Sequence, residues 1–192
     1  MRNFIAGILT TAGIAGLIGA SVWIAVLPRL DWGADQKPPP IETVLAHNLI
    51  GRWVRRNART GTNPFLPTSE NLRAARPEYQ EHCAACHALD GSGQNQFEAD
   101  FYPPIARLTG AVQKLSDAEI YFIVVKGIRD TAMPAFGQHH SDDDIWRCVL
   151  WVRHLAHPTP EERAAIEREV RETTASHERT MEKRGARLEK LQ

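Results

Sequence analysis

HCAACHALDGSG, residues 82–93, is the stretch on which the reading of the whole chain turns. Cys83 and Cys86 stand three positions apart, His87 follows the second directly, and Gly91 and Gly93 come soon after. Three chemistries use such a pattern: a structural zinc site, a redox dithiol, or an attachment point for a larger prosthetic group. A structural zinc ion takes four ligands, commonly two Cys-x-x-Cys pairs or one pair with spaced histidines. The chain has 3 cysteines, so a second pair is missing, and His87 abuts Cys86 too closely for both to bind one tetrahedral ion comfortably. A thioredoxin-like dithiol belongs to an alternating strand and helix pattern, whereas the residues around Cys83 read as helix.

Cys-x-x-Cys-His is also the sequence pattern of covalent haem attachment. Two thiols on one turn can each add to a vinyl group of the same porphyrin, and the adjacent imidazole is then held beneath the iron. Five residues need support from elsewhere. Haem iron in an electron-transfer protein takes a sixth ligand, and a Met opposite a His raises the potential. Of the 3 methionines, Met1 begins an apolar segment and Met181 lies in a charged tail. Met133, in IRDTAMPAFG, is followed by Pro134, which favours extended backbone before it and so predicts a loop between two helices.

The helices of this region carry start signals. Ser116 with Glu119 makes a capping box for DAEIYFIVVKGI, and Ser141 ahead of Asp142, Asp143 and Asp144 places an acceptor and negative charge at the next N-terminus. In DDDIWRCVLWVRHLAH, the residues Ile145, Val149, Val152 and Leu155 recur at helical spacing, with Trp146, Cys148 and Trp151 alongside. Cys148 reads as a small buried hydrophobe.

With YQEHCAACHALDGSGQ, YPPIARL, LSDAEIYFIVVKGIRDTAMPAFG and DDDIWRCVLWVRHL on view, the block from Glu70 to Leu155 resembles a class I c-type cytochrome. The resemblance implies an all-α fold of three to five helices around one covalent haem c. It implies that Cys83 and Cys86 are the thioether cysteines and that His87 and Met133 are the axial iron ligands. It also implies that Pro103 lends its carbonyl to the His87 imidazole, a contact that fixes ring orientation. Two features depart from the family pattern. Ala75 stands where a glycine usually lies at the crossing of the first and last helices, four residues before the aromatic Tyr79. His139 and His140, just after the Met loop, and His47 compete in principle with Met133 for the iron.

The remaining segments lie outside that block. Residues 4–27 carry no charged side chain, and 24 residues at 1.5 Å each span about 36 Å, enough for a bilayer core of about 30 Å. This apolar run exceeds the roughly 7–15 residues of a signal peptide, so an uncleaved anchor is expected. Arg2 on one side, with Arg29 and Lys37 on the other, leaves orientation open. Since haem attachment in the resembling family occurs outside the cytoplasmic membrane, everything after Leu27 is expected on the periplasmic side. GADQKPPP reads as a linker, with Pro38 to Pro40 extended. IETVLAHNLIGRWVRRNART reads as an amphipathic helix, with Ile41, Val44, Leu45, Leu49 and Trp53 three to four apart and Arg52, Arg55, Arg56 and Arg59 largely elsewhere on the cylinder. It is expected to pack on the following domain with a solvated arginine face, and contact with anionic headgroups is the alternative. From Thr159 onward, Thr159 with Glu162 and Pro160 open a charged helix with few large apolar residues, expected to be solvated and frayed towards its end.

The expected organisation is therefore an anchor over 1–30, a linker and basic helix over 31–68, a cytochrome domain over 69–157 and a charged tail over 158–192. A formal net charge of zero gives no field for nucleic acid. The resemblance implies single-electron transfer between redox complexes, with no small-molecule substrate and no enzyme activity of its own. A fixed haem subunit of a membrane dehydrogenase or terminal oxidase is the alternative. A haem sensor is a weaker one, because the resembling peroxidases carry two haems and this chain has one Cys-x-x-Cys-His.

Overall fold

The structure is a computed structural model that describes residues 2–26, 29, 33, 38–94 and 101–189. Within the expected linker, residues 34–37 lie outside the described residues, as do Asp31 and the last residues of the tail, 190–192. The described chain is helical, with no strand among those residues. In order come α1 (Arg2–Ser21), a π-helical turn (Val22–Val26), α2 (Pro40–Asn57), α3 (Ser69–His82), α4 (Ala84–His87), a 3-10 turn (Ala111–Lys114), α5 (Asp117–Lys126), α6 (Asp142–His154) and α7 (Pro160–Glu189).

The helix starts follow the side-chain chemistry read from the sequence. Thr68 accepts from Asn71 N at the head of α3. Ser116 and Glu119 make a reciprocal capping box on α5, and Ser141 and Asp144 make another on α6. At α7 the Thr159 hydroxyl accepts from Glu162 N, while the Glu162 carboxylate accepts from Thr159 N. Each of these caps is worth about 1 kcal/mol.

The core is the crossing of α3 and α6. Ala75 and Tyr79 of α3 and Val149 of α6 are wholly inaccessible, and Ile145, Leu150, Trp151, Val152 and Leu155 are buried beside them. At Ala75 a single methyl group fits where the two backbones cross. Burying a side chain such as Val149 contributes about 1.5–3 kcal/mol. Arg153, at the end of α6, fastens the crossing to the next layer. Its guanidinium donates to Asp117 (2.7 Å), to Gln113 O (3.1 Å) and to Leu115 O. Gln113 in turn donates to Leu108 O and Val152 O.

Three expectations are corrected. Pro40 does not prolong an extended linker; it is the first residue of α2, where its missing N–H costs nothing. The apolar stripe Ile41, Val44, Leu45 and Leu49 faces outward. Val54, on the opposite side of the helix, is the residue that α2 buries, with Trp53 against Phe122 at 4.8 Å between ring centroids. The charged tail is not solvated throughout. Ile166 of α7 is buried in the core cluster, and Glu169 accepts from Arg76 at 2.6 Å across to α3. Two apolar residues one turn apart, Ile166 and Val170, suffice to dock an otherwise polar helix.

Candidate functional site

α3 ends at His82, and the chain turns through Cys83 into α4, a single turn of four residues. Cys83 N donates to Tyr79 O at 2.9 Å, and Cys83 O accepts from Cys86 N (3.2 Å) and His87 N (2.9 Å). Cys83, Cys86 and His87 are thereby held on one tight turn. No disulfide joins the three cysteines among the described residues. Cys83 packs half-buried on the core cluster. Behind it, Cys148 is buried in α6, where a side-chain hydrogen bond with Cys83 and burial push its thiol far above the usual range.

The chain leaves α4 through a left-handed residue, Ala88, at φ 62 and ψ 161. Its carbonyl accepts from the Tyr79 hydroxyl at 2.6 Å. Burial pushes that hydroxyl well above the ordinary phenol range, so it stays protonated and donates. Gly93 N then donates to His87 O (2.9 Å), and Leu108 N donates to Gly91 O (2.8 Å). A Cβ on Gly93 would stand only 3.1 Å from Ile105 O. Glycine there lets the segment around Ile105 and Ala106 run directly against the motif.

The consequence is a bond between His87 Nδ1 and Ala106 O at 3.0 Å. A carbonyl only accepts, so Nδ1 carries the proton and Nε2 keeps its lone pair for a ligand role. Burial lowers the His87 pKa and the Ala106 bond opposes that, so the neutral ring is favoured. The acceptor is Ala106 and not Pro103, which corrects the sequence reading. The physical reason is the anchor at Leu108 N, which fixes the residue two positions earlier beside the imidazole. Pro103 is three residues further back, about 10 Å along an extended chain.

Met133 lies in the loop between α5 and α6, half-buried against the same core cluster as Cys83. The loop is stapled to the end of α5. Phe136 N donates to Val124 O and Gly137 N to Val125 O, both at 3.1 Å, which satisfies carbonyls that a helix end leaves unpaired. Ile128 N donates to Met133 O at 3.1 Å, and the Thr131 hydroxyl accepts from Met133 N. Gly127 makes this possible. At φ 63 it adopts backbone that L side chains avoid, and a Cβ there would sit 2.6 Å from Pro134 C and 2.7 Å from Met133 O.

Of the competing histidines, His140 lies near the motif, where it lines a small pocket with Cys83 and Cys148. The His140 ring lies edge-on to His82 (4.2 Å) and against Phe136 (5.5 Å). His139 is exposed on the loop, and His47 is exposed on α2.

A family model described as cytochrome c oxidase, cbb3-type, subunit III, matches residues 70–152, the span that contains α3, the motif, the Met loop and most of α6. Residues 70–152 form a c-type cytochrome domain. No curated protein matches the chain. Among solved structures, the chain is similar to one in the Kuenenia stuttgartiensis reducing HAO-like protein complex, at 25% identity and a TM-score of 0.43. That match covers 49% of this chain, which spans about half (47%) of the other.

A c-type cytochrome domain carries covalently bound haem c and works in electron transfer. The cytochrome domain holds Cys83, Cys86 and His87 together as the motif spacing suggests, with Met133 in a loop as Pro134 suggests. Sequence reasoning missed the Ala106 carbonyl and the Tyr79–Ala88 bond, since neither leaves a mark on residue type. Gly127 was visible as a glycine directly after Lys126, at the usual place for a helix C-cap.

Proposed function

We propose that the chain is a membrane-anchored, monohaem cytochrome that passes single electrons between larger redox complexes. The observation that carries the reading is the turn that presents two thiols and a neutral imidazole together, its Nδ1 spent on Ala106 O. That donor set fits haem c, whose iron supplies one-electron oxidation and reduction when bound. Cys83 and Cys86 form the thioether links. His87 Nε2 and the Met133 thioether would hold the iron. Ala106 and Tyr79 keep the His87 turn from rotating, and the staples to Val124 and Val125 keep the Met loop in place. One Cys-x-x-Cys-His in 192 residues supports a single haem. The domain converts no substrate of its own.

The anchor reading is supported by Gly7–Ala25, long and apolar enough to cross a membrane at a mean hydropathy of 1.8. Phe4, Leu9, Leu17 and Trp23 on this helix are all exposed, and a helix apolar on every side is at home in lipid rather than water. Covalent haem attachment then places the domain on the periplasmic side.

Met133→Ala tests the ligand assignment. The ferric protein is expected to lose the weak far-red charge-transfer band of His/Met haem, and the potential is expected to fall. An unchanged band and potential would refute the role of Met133. The description of the matching family favours a second reading, a fixed haem c subunit of a terminal oxidase. Gentle detergent extraction and sizing separates the two, since a carrier runs alone and a subunit runs as a large complex.

A further inference from the structure

The outward face of α2 carries a row of exposed large apolar side chains. Ile41 is 76% exposed, Val44 59%, Leu45 57% and Leu49 56%, while Val54 is 3% exposed on the side that packs on the domain. At 3.6 residues per turn, positions 41, 44, 45 and 49 share one face, and Arg52 and Arg56 return to it after three and four turns. Arg55 is exposed beside them, and Arg59 follows the helix end. One face is thus apolar over its first half and basic over its second, and Glu42 is the acidic residue in the first turn.

Two polar side chains of this helix are satisfied within it. Asn48 donates to Val44 O and Asn57 to Trp53 O, each at 2.7 Å, so covering the face strips few polar groups of water. α2 is also tethered. Thirteen residues, 27–39, separate the end of the apolar segment at Val26 from Pro40. Even fully extended they reach about 45 Å, which keeps α2 close to the bilayer at high effective concentration.

We infer that α2 lies on the membrane surface, with Ile41, Val44, Leu45 and Leu49 dipped into the headgroup boundary and Arg52, Arg55 and Arg56 on anionic headgroups. The inference rests on the reading of α1 as an anchor. The occupant is lipid rather than protein because one face joins an apolar stripe to clustered arginines, and interfacial binding grows with both buried apolar area and attraction to anionic headgroups. It meets the bilayer that its own tether already supplies. The arginine stems extend the apolar contact while their heads reach phosphate. The effect is to hold the cytochrome domain in one orientation, with α5, against which α2 packs, on the far side of the helix from the bilayer.

The test uses the full haem-loaded chain in nanodiscs of phosphatidylcholine alone and in nanodiscs with phosphatidylglycerol at about one lipid in three. Side-chain oxidation by hydroxyl radicals is read by mass spectrometry over residues 41–59. Phosphatidylglycerol is expected to lower the oxidation rate of Leu45 and Leu49, and high salt to restore it. A triple substitution, Arg52→Glu, Arg55→Glu and Arg56→Glu, is expected to abolish the difference between lipids without changing the haem spectrum. Each arginine near an anionic surface shifts the docking equilibrium about fivefold, so the triple variant leaves no measurable protection. Equal oxidation in both lipids overturns the inference, and so does protection that arises only when membrane proteins are added. Release of the chain from the nanodiscs would overturn the anchor reading instead, and co-elution reports that separately.

Discussion

Replacing Gly127 with alanine puts a methyl group where the Met133 loop already lies. The new Cβ would meet Pro134 C at 2.6 Å, Ala135 N at 2.7 Å and Met133 O at 2.7 Å, all of them backbone atoms that no rotamer change can move. At φ 63 and ψ −174 the alanine itself is strained by about 1–3 kcal/mol. Overpacking of this kind adds about 1–3 kcal/mol, for a total of about 2–6 kcal/mol. The alternative is to release the loop. That breaks the Ile128–Met133, Phe136–Val124 and Gly137–Val125 backbone bonds, at about 0.5–1.5 kcal/mol each. The two costs are similar, and both fit within a domain stability of about 5–15 kcal/mol. Gly127→Ala is therefore expected to stay folded with its Met loop displaced. The ferric charge-transfer band should weaken, the potential should fall, and the denaturation midpoint should drop. Gly61→Ala, whose Cβ meets open space, serves as the control. A Gly127→Ala protein with unchanged band and potential, within about 0.5 kcal/mol of the parent, would refute this account of the loop.

Three further outcomes follow from the same geometry. Tyr79→Phe removes the shorter of two donors to the buried Ala88 carbonyl, leaving Gly91 N at 3.2 Å, and should cost about 0.5–1.5 kcal/mol in urea denaturation; a neutral result would mean that the Gly91 bond alone satisfies the carbonyl. Ala88→Gly relieves about 1–3 kcal/mol of strain at φ 62 against about 0.5–1 kcal/mol for the added freedom of the unfolded chain, so the variant should be more stable, and a lower melting temperature argues against strain there. For Asp144, the Ser141 hydroxyl bond is the main cause holding its carboxyl below the ordinary value of 3.8. Its stabilisation is complete above about pH 3.8 and is lost as pH falls through the lower folded value. The stability gap between the parent and Asp144→Asn should shrink on acidification through that window, and a gap that holds constant would contradict the sign.

Much of the architecture was legible because it is written in local chemistry. Ser116, Ser141 and Thr159 cap helices through bonds three residues long, and the α6 core positions repeat at the helical period. Cys83, Cys86 and His87 sit on one turn for the same local reason. What was not legible depends on long-range partners. The Ala106 carbonyl reaches His87 because Leu108 is tied to Gly91 and Gly93 allows the close approach, and any residue type at position 106 supplies the same oxygen. The stripe on α2 has the pattern of a core face, and periodicity does not say whether a protein or a membrane covers it. Docking of α7 through Ile166 and Val170 was hidden by the charge around them.

The crossing of α3 and α6 also bears on how the chain reaches its folded state. Between His82 and Asp142 lie 59 residues, and bringing the ends of such a loop together costs on the order of 4 kcal/mol in chain entropy. Contacts this distant in sequence form slowly compared with helices. α3 and the turn that carries Cys83, Cys86 and His87 are local in sequence, whereas the core behind them waits for α6 to return. A newly made chain therefore displays its two thiols before the core closes over Cys83, and a substitution such as Ala75→Leu, which obstructs the crossing, would lengthen that exposed interval.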